Sequence, residues 1–128
     1  MWENLWISML SSYNCQDMAR MKAEQFDYPD LELGSLAKAL GHPARIKIVK
    51  MLLASGSLNC KDIVANMPLS QSTVSQHLAE LKQAGIIEGR GFRTSMIYSV
   101  NKDVLKSMHS VMGELFFPKA KAVQATLF

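Results

Sequence analysis

Between residues 69 and 85, apolar positions recur at helical spacing, while the polar positions carry mainly short hydrogen-bonding side chains. The apolar stripe of this predicted helix consists of Val74, Leu78 and Leu81. Ser70 is suited to cap its start, and Gly85 is suited to end its last turn in a left-handed conformation. A helix that only faces water normally carries Lys and Glu on its outer side. The pattern therefore predicts a helix whose polar face contacts another molecule.

The outer face of this helix follows from its turn angle. At about 100° per residue, Ser72 and Gln76 point directly away from the apolar stripe, and Thr73, Ser75 and Glu80 flank this outward face. The serine, threonine and glutamine side chains donate and accept hydrogen bonds on short stems. The major groove of DNA admits one helix and exposes base edges beside phosphates, so it fits such a face.

Three helices are predicted before this one. The first covers residues 31–40 and follows a break at Tyr28-Pro29-Asp30. The second covers residues 43–54, and it can begin at Pro43 because proline is tolerated in the first turn of a helix. Its predicted inner stripe is Ile46, Val49 and Leu53. After an extended link over 56–59, the third covers residues 60–67, and Pro68 stops it. With the helix over 69–85, it makes a helix-turn-helix unit.

A β-hairpin and a last helix complete the predicted fold, which is mainly α-helical. Strands are expected over residues 86–90 and 95–100, with a tip over 89–94 where Gly89 and Gly91 allow a tight backbone. Arg90 and Arg93 project from this wing. The helix over 102–116 has an apolar stripe of Val104, Met108, Val111 and Leu115.

The same pattern divides the chain into three parts. Residues 1–25 form an amphipathic arm with Trp2, Trp6, Met9 and Tyr13 at helical spacing. Residues 31–116 form the winged helix-turn-helix domain, and residues 117–128 form a tail.

Charge is distributed unevenly along the 128 residues, whose formal net charge is +3. Residues 1–37 carry two Lys or Arg against six Asp or Glu, residues 38–102 carry nine against three, and residues 103–128 carry three against two. The basic excess therefore coincides with the polar-faced helix. It fits a polyanionic partner, although a solvated basic surface has the same composition.

Cysteine usage and hydropathy predict a cytoplasmic protein. Cys15 and Cys60 are the two cysteines, too few for a disulfide framework and without the spacing of a zinc site. A reducing compartment is the natural expectation. The first ten residues lack a basic start, and no apolar run approaches the roughly 20 residues of a bilayer span, so no membrane association is expected.

Three segments occur in a fixed order, namely ALGHPARIKIV at residues 39–49, SQSTVSQHL at 70–78 and LKQAGII at 81–87. Through them and the wing, the chain resembles the ArsR/SmtB-type winged helix-turn-helix repressors over about residues 31–116. Each segment alone is a weak signal, but the ordered set is specific. Residues 1–25 lie outside the family pattern.

The resemblance implies a sequence-specific transcriptional regulator, expected to be a repressor, that binds double-stranded DNA as a homodimer. Its terminal helices would form the dimer, and its two recognition helices would enter successive major grooves of an imperfect palindrome, roughly 34 Å apart. The apolar faces of the terminal helices and of the arm also favour a dimer, because together they present more apolar surface than one small domain can bury.

Site residues are assigned on this basis. Base-edge contacts are expected from Ser72, Thr73 and Gln76, phosphate contacts from Ser70, Gln71 and Ser75, and wing contacts with phosphate or minor groove from Arg90 and Arg93. For Ser70, helix capping alone is as good an interpretation as a contact with DNA. His77 is expected to pack or hydrogen-bond, and not to bind metal, and Arg45 is expected to stabilise helix packing.

The metal sites of the family are not retained. Family sensors place Cys-x-Cys-Asp before the recognition helix, but here the two thiolate positions fall on Asn59 and Lys61. A second family site begins with Asp-x-His on the last helix, where this chain has Asp103-Val104-Leu105. No metal or cofactor is therefore predicted. The effector is left open between a small molecule and a redox switch of Cys15 with Cys60, although free cysteines are more often buried hydrophobic residues.

Two other function classes require features that this sequence lacks. A winged-helix module for protein or RNA binding would favour an apolar or acidic outer face, against which Ser72, Thr73 and Gln76 argue. A cysteine or histidine enzyme would need a second catalytic group beside its nucleophile, and none is placed there. No enzymatic activity is predicted.

Overall fold

The computed structural model describes residues 25–119 of the chain. Five helices and three strands occur in this part. In chain order they are α1 (Tyr28–Leu40), α2 (Pro43–Ser55), β1 (Ser57–Asn59), α3 (Cys60–Ala65), α4 (Gln71–Gln83), β2 (Ile87–Phe92), β3 (Ser95–Val100) and α5 (Lys102–Phe116). Residues 1–24 of the predicted arm, including Cys15, and residues 120–128 of the predicted tail lie outside the described residues. The division of the chain into those parts stays a prediction.

The strands form one antiparallel sheet with β3 between β1 and β2. In the hairpin, Ile87 pairs with Val100 and Phe92 pairs with Ser95. On the other side of β3, Ser57 pairs with Ser99. The predicted hairpin is confirmed, but the segment predicted only as an extended link supplies a third strand. Three residues are too few for alternation to reveal a strand, and β1 depends on its partner β3.

One core joins all five helices to the sheet. Its largest fully buried side chains are Leu36, Ile48, Leu52, Ile63, Val74, Leu78, Leu81, Ile86 and Ile87. Helix α4 packs against α1, α2, α3 and β2, and α1 packs against α5. The position of α4 is therefore fixed from several sides. No helix within residues 25–119 combines the length and apolar character needed to cross a membrane.

Helix α1 begins three residues earlier than predicted. Tyr28, Pro29 and Asp30 form its first turn, so the predicted break at this point is wrong. Asp27 has an extended backbone, and its carbonyl accepts hydrogen bonds from the N–H groups of Asp30 and Leu31. A first-turn proline costs nothing here, because its missing N–H would have no partner within the helix.

The inner face of α2 also differs from the prediction. Ile46 and Leu53 are 44% and 49% exposed, whereas Ile48, Val49 and Leu52 are buried. Apolar residues lie on more than one side of this helix, so helical spacing fits either stripe, and the neighbouring elements select one. In α5, Met108 is buried as expected, but Leu115 is 62% exposed and is not part of the core.

Candidate nucleic-acid interface

The start of α4 is held by a network of hydroxyl groups. Ser70 Oγ accepts a hydrogen bond from the N–H of Thr73 at 3.3 Å, which confirms the predicted cap. The same oxygen lies 2.8 Å from Thr73 Oγ1 and 3.1 Å from Ser72 Oγ. At the other end, Gly85 has φ 77°, which confirms the left-handed ending. The local sequence therefore defines both ends of the helix.

The outer face of α4 is polar and open to solvent along its first two turns. Its exposed side chains there are Gln71, Ser72, Ser75 and Gln76. Thr73 is half-buried, so it presents less surface than its neighbours. Val74 and Leu78 are buried on the opposite side, with 0% and 2% exposure. The helix thus has one face committed to the core and one face available to a partner.

The short helix α3 positions α4 from the N-terminal side. Asn59 Oδ1 accepts a hydrogen bond from the N–H of Asp62 at 2.8 Å and so caps α3. Ile63 and Met67 are buried in the core, and the turn after α3 leads directly to the cap at Ser70. The predicted helix-turn-helix geometry is present, although α3 ends at Ala65, two residues earlier than predicted.

Helices α2 and α4 meet at a junction of four side chains that the sequence did not predict to lie together, namely His42, Arg45, His77 and Glu80. The imidazole rings of His42 and His77 pack with their centroids 4.4 Å apart. Arg45 Nη1 lies 3.9 Å from Glu80 Oε2. The ring contact confirms the packing interpretation of His77, whereas the stabilising role of Arg45 stays a prediction. Burial is the largest cause that lowers the pKa of His77, and positive charge on His42 and Arg45 lowers it further, against an opposing effect of Glu80.

The wing presents both predicted arginines, but its turn is not where the sequence placed it. Arg90 lies within β2 opposite Ile97, and Arg93 lies in the turn between Phe92 and Ser95. The predicted tip over residues 89–94 is therefore wrong. The left-handed residue of the turn is Arg93, with φ 56°.

Gly89 has a packing role instead of a turn role. A Cβ at Gly89 would lie 3.3 Å from Met96 Sδ, 3.4 Å from Tyr98 Cε1 and 3.5 Å from Lys82 Nζ. No such crowding occurs at Gly91, where a Cβ would meet open space. Gly89 and Gly91 thus lie within strand β2, although glycine at these positions predicted the turn.

Two of the three acidic side chains of the basic segment 38–102 contact partners within the described fold. Glu80 faces Arg45, and Glu88 Oε1 accepts a hydrogen bond from Asn101 Nδ2 at 3.1 Å. Within residues 25–119, neither Arg90 nor Arg93 forms an ion pair. Both are exposed, so their positive charge faces solvent. The surface that carries α4 and the wing is suited to a polyanion.

The position of the family's thiolate metal site has a structural role here. Asn59, at the first thiolate position, is the cap of α3, and Lys61 is exposed. Within residues 25–119, no three His, Cys, Asp or Glu side chains lie close enough together to hold a metal ion. Cys60 is half-buried and packs against the core. The pKa of Tyr98 is raised, first by burial and then by the nearby Cys60.

A polar-faced helix that follows a short helix and is flanked by an arginine-bearing hairpin defines a winged helix-turn-helix DNA-binding domain. A family model described as "Bacterial regulatory protein, arsR family" matches residues 42–88. The chain belongs to the ArsR family of transcriptional regulators.

Two relatives show the extent of this similarity. The uncharacterized HTH-type transcriptional regulator MJ1325 of Methanocaldococcus jannaschii is 36% identical over 78 residues, which cover 61% of this chain and 88% of the relative. The biofilm growth-associated repressor of Agrobacterium fabrum is 33% identical over 85 residues, which cover 66% and 72% respectively. Both similarities extend beyond the residues of the family model.

Solved structures agree in fold. HlyU from Vibrio cholerae, a transcriptional activator, has a TM-score of 0.60 at 27% identity and covers 71% of this chain and 98% of its own. A homodimeric winged helix-turn-helix DNA-binding domain from Mycobacterium bovis has a TM-score of 0.55 at 27% identity and covers 63% and 75%. The predicted fold class and family are confirmed.

Proposed function

We propose that the chain is a repressor that binds an imperfect DNA palindrome as a homodimer in the cytoplasm. The observation that carries the proposal is the exposed polar face of α4, formed by Gln71, Ser72, Ser75 and Gln76 above a fully buried apolar stripe. In helix-turn-helix proteins, residues near the start of the second helix contact base edges. This face occupies that part of the helix.

Individual roles follow from exposure and position. Ser72 and Gln76 are exposed and contact base edges, and half-buried Thr73 contributes near them. Ser70, Gln71 and Ser75 bind phosphates at the positive end of the helix dipole, where Ser70 acts as cap at the same time. Arg90 and Arg93 bind phosphate or the minor groove beside the half-site.

The dimer is supported by apolar surface at the two ends of the described chain. Near the start of α1, Phe26 and Tyr28 are exposed, and Leu115, Phe116 and Phe117 are exposed at the end of α5. Because α1 packs against α5, these side chains belong to neighbouring elements. Exposed apolar side chains gathered on neighbouring elements are typical of a subunit contact. The homodimer reported for the Mycobacterium bovis neighbour supports the same arrangement.

Repression is proposed with the Agrobacterium relative as support, while HlyU shows that a related fold also serves activation. The effector is a small molecule or an oxidant. For the thiol alternative, Cys60 lies at the start of the helix-turn-helix unit and is half-buried. If an oxidant releases the DNA, Cys60→Ser removes that response and leaves DNA binding intact.

Selection of bound fragments from random genomic DNA, followed by footprinting and sedimentation of the complex, tests the proposal. We expect two protomers on one duplex, protecting half-sites about one helical turn apart. A transcription assay on the selected fragment should show lower output with the protein present. Equal affinity for all duplexes, or tighter binding to RNA than to DNA, would contradict the proposal and favour the module interpretation.

A further inference from the structure

Phe92 is a large apolar side chain at the far end of the wing. It is 58% exposed and ends β2 opposite Ser95, a small polar partner. Alternate residues of a strand face the same side of a sheet, so Phe92 shares its side with Arg90 and faces away from buried Ile87. The ring therefore serves neither the core nor an apolar cross-strand pair.

Arg93, the residue that follows Phe92, has an unusual backbone conformation. Arg93 adopts φ 56°, a left-handed backbone that hairpin turns normally assign to Gly, Asn or Asp. Its guanidinium carbon Cζ lies 5.5 Å from the centroid of the Phe92 ring, within the range of a cation–π contact. An arginine in this conformation places a positive charge beside an exposed ring at the tip.

We propose that Phe92 is an apolar wedge that enters the DNA minor groove beside each half-site and partly unstacks one base step. Arg90 and Arg93 bind the phosphates that border the groove. Minor-groove proteins insert apolar side chains between base steps in this way, next to cations that match the backbone. The inference rests on the proposed function and adds a contact that recognition by α4 does not require.

Arginine on both sides of the exposed ring favours DNA as the occupant. The outer face of the hairpin carries Arg90 two residues before the ring, and Arg93 follows it directly. Both guanidinium groups lack an ion-pair partner within residues 25–119. A protein partner would need acidic groups around an apolar pocket, and the test below detects that case as DNA binding that ignores Phe92.

The test uses the full chain and its selected duplex, with 2-aminopurine placed in turn at each base step that flanks the half-sites. Fluorescence of this base rises when it is unstacked. We expect a rise at one flanking step with the wild-type protein, and loss of that rise with Phe92→Ala. Ser95→Ala, on the facing strand, is the matched control and should keep it. Phe92→Thr retains a strand-forming side chain and gives the same test if alanine unfolds the hairpin.

Affinity supplies the second readout. Phe92→Ala should weaken binding about tenfold without changing its salt dependence, because no phosphate contact is lost. Arg93→Ala should reduce the salt slope by about one. The inference is overturned if wild-type binding raises fluorescence at no flanking step, or if Phe92→Ala retains either the signal or the affinity. Failure of the proposed function appears earlier, as a wild-type protein that selects no DNA.

Discussion

The ring of His42 packs against the ring of His77 with 4.4 Å between centroids and 40° between planes. His42 Nδ1 also accepts a hydrogen bond from the N–H of Ala44 at 3.1 Å, so one imidazole caps α2 and contacts α4 together. Arg45 and Glu80 extend the contact between the same two helices. The recognition helix therefore meets α2 through a pair of ionisable rings and an ion pair.

The stability of the fold should fall in mild acid because of His77. Its pKa is lowered from 6.5, first by burial and then by the charges of His42 and Arg45. The unfolded chain therefore binds this proton more tightly than the folded chain. The His77 contribution to stability is complete above pH 6.5 and is lost as the pH falls below it. Urea unfolding at about pH 7.5 and about pH 5.5 measures the effect.

Two variants test whether the pH dependence of stability comes from His77. His77→Gln should reduce the difference in unfolding free energy between the two pH values, because the titrating group is gone. His109→Gln, at an exposed position of α5, should leave the difference as in the wild type. Equal pH dependence in all three proteins would mean that the junction does not titrate as described.

The cap of α4 should be separable from its DNA contact. Ser70→Ala removes the acceptor for Thr73 N–H and should lower the free energy of unfolding by about 1 kcal/mol. Ser75→Ala, an exposed serine of the same helix, should change it by less than about 0.5 kcal/mol. Ser70→Asp retains a good cap but places a carboxylate near phosphate, so it should keep stability and weaken DNA binding. If Ser70→Asp binds DNA as tightly as the wild type, Ser70 is a cap only.

The wing turn should show a conflict between stability and binding. Arg93→Asn places a residue that tolerates φ 56° in the turn and should raise the free energy of unfolding by about 0.5–1 kcal/mol. The same change removes a cation and should weaken DNA binding. Arg90→Asn is the matched control: it removes an equal charge from a strand, where asparagine is disfavoured, and should not stabilise the fold. A less stable Arg93→Asn protein would show that the turn is not strained at this residue.

Arg45 should contribute to stability through its stem more than through its charge. Its Nε is buried and has no hydrogen-bond partner within the described residues, and its ion pair with Glu80 is long and half exposed to solvent. Such a pair contributes about 0–1 kcal/mol, and an unpaired buried donor costs about 1–3 kcal/mol. Arg45→Met keeps an apolar stem, so its unfolding free energy should equal or exceed that of the wild type.

The contrast with alanine makes the Arg45 prediction specific. Arg45→Ala loses the stem contacts and should lower the free energy of unfolding by about 1–2 kcal/mol in urea titrations. Equal destabilisation by methionine and alanine would instead assign the stability to the guanidinium group.

An element can be predicted in detail from the sequence when only one arrangement of its apolar face fits the pattern of residues. In α4 one apolar stripe, one cap and one final glycine agree, and Val74, Leu78 and Ser70 occupy the predicted places. In α2 two stripes fit the same spacing, and contacts with α4 and β3 decide that Ile46 and Leu53 remain exposed.

Other features could not be predicted because they depend on distant partners. His42 and His77 are far apart in the chain and meet only when α2 packs on α4. Strand β1 exists because β3 offers it an edge. The predicted position of the wing turn is wrong because Gly89 lies within β2, where a Cβ would crowd Met96 and Tyr98, and not in the turn.

The central claim is that the first two turns of α4 read bases, and a base-by-base affinity profile of variant proteins tests it directly. Gln76 and Gln83 are both exposed glutamines, and two turns of helix separate them on nearly the same face. The account predicts that Gln76→Ala relaxes discrimination at one or two base pairs of each half-site by about 1–3 kcal/mol, and that Gln83→Ala leaves the profile unchanged. A uniform loss of affinity across all sequences for Gln76→Ala would contradict it.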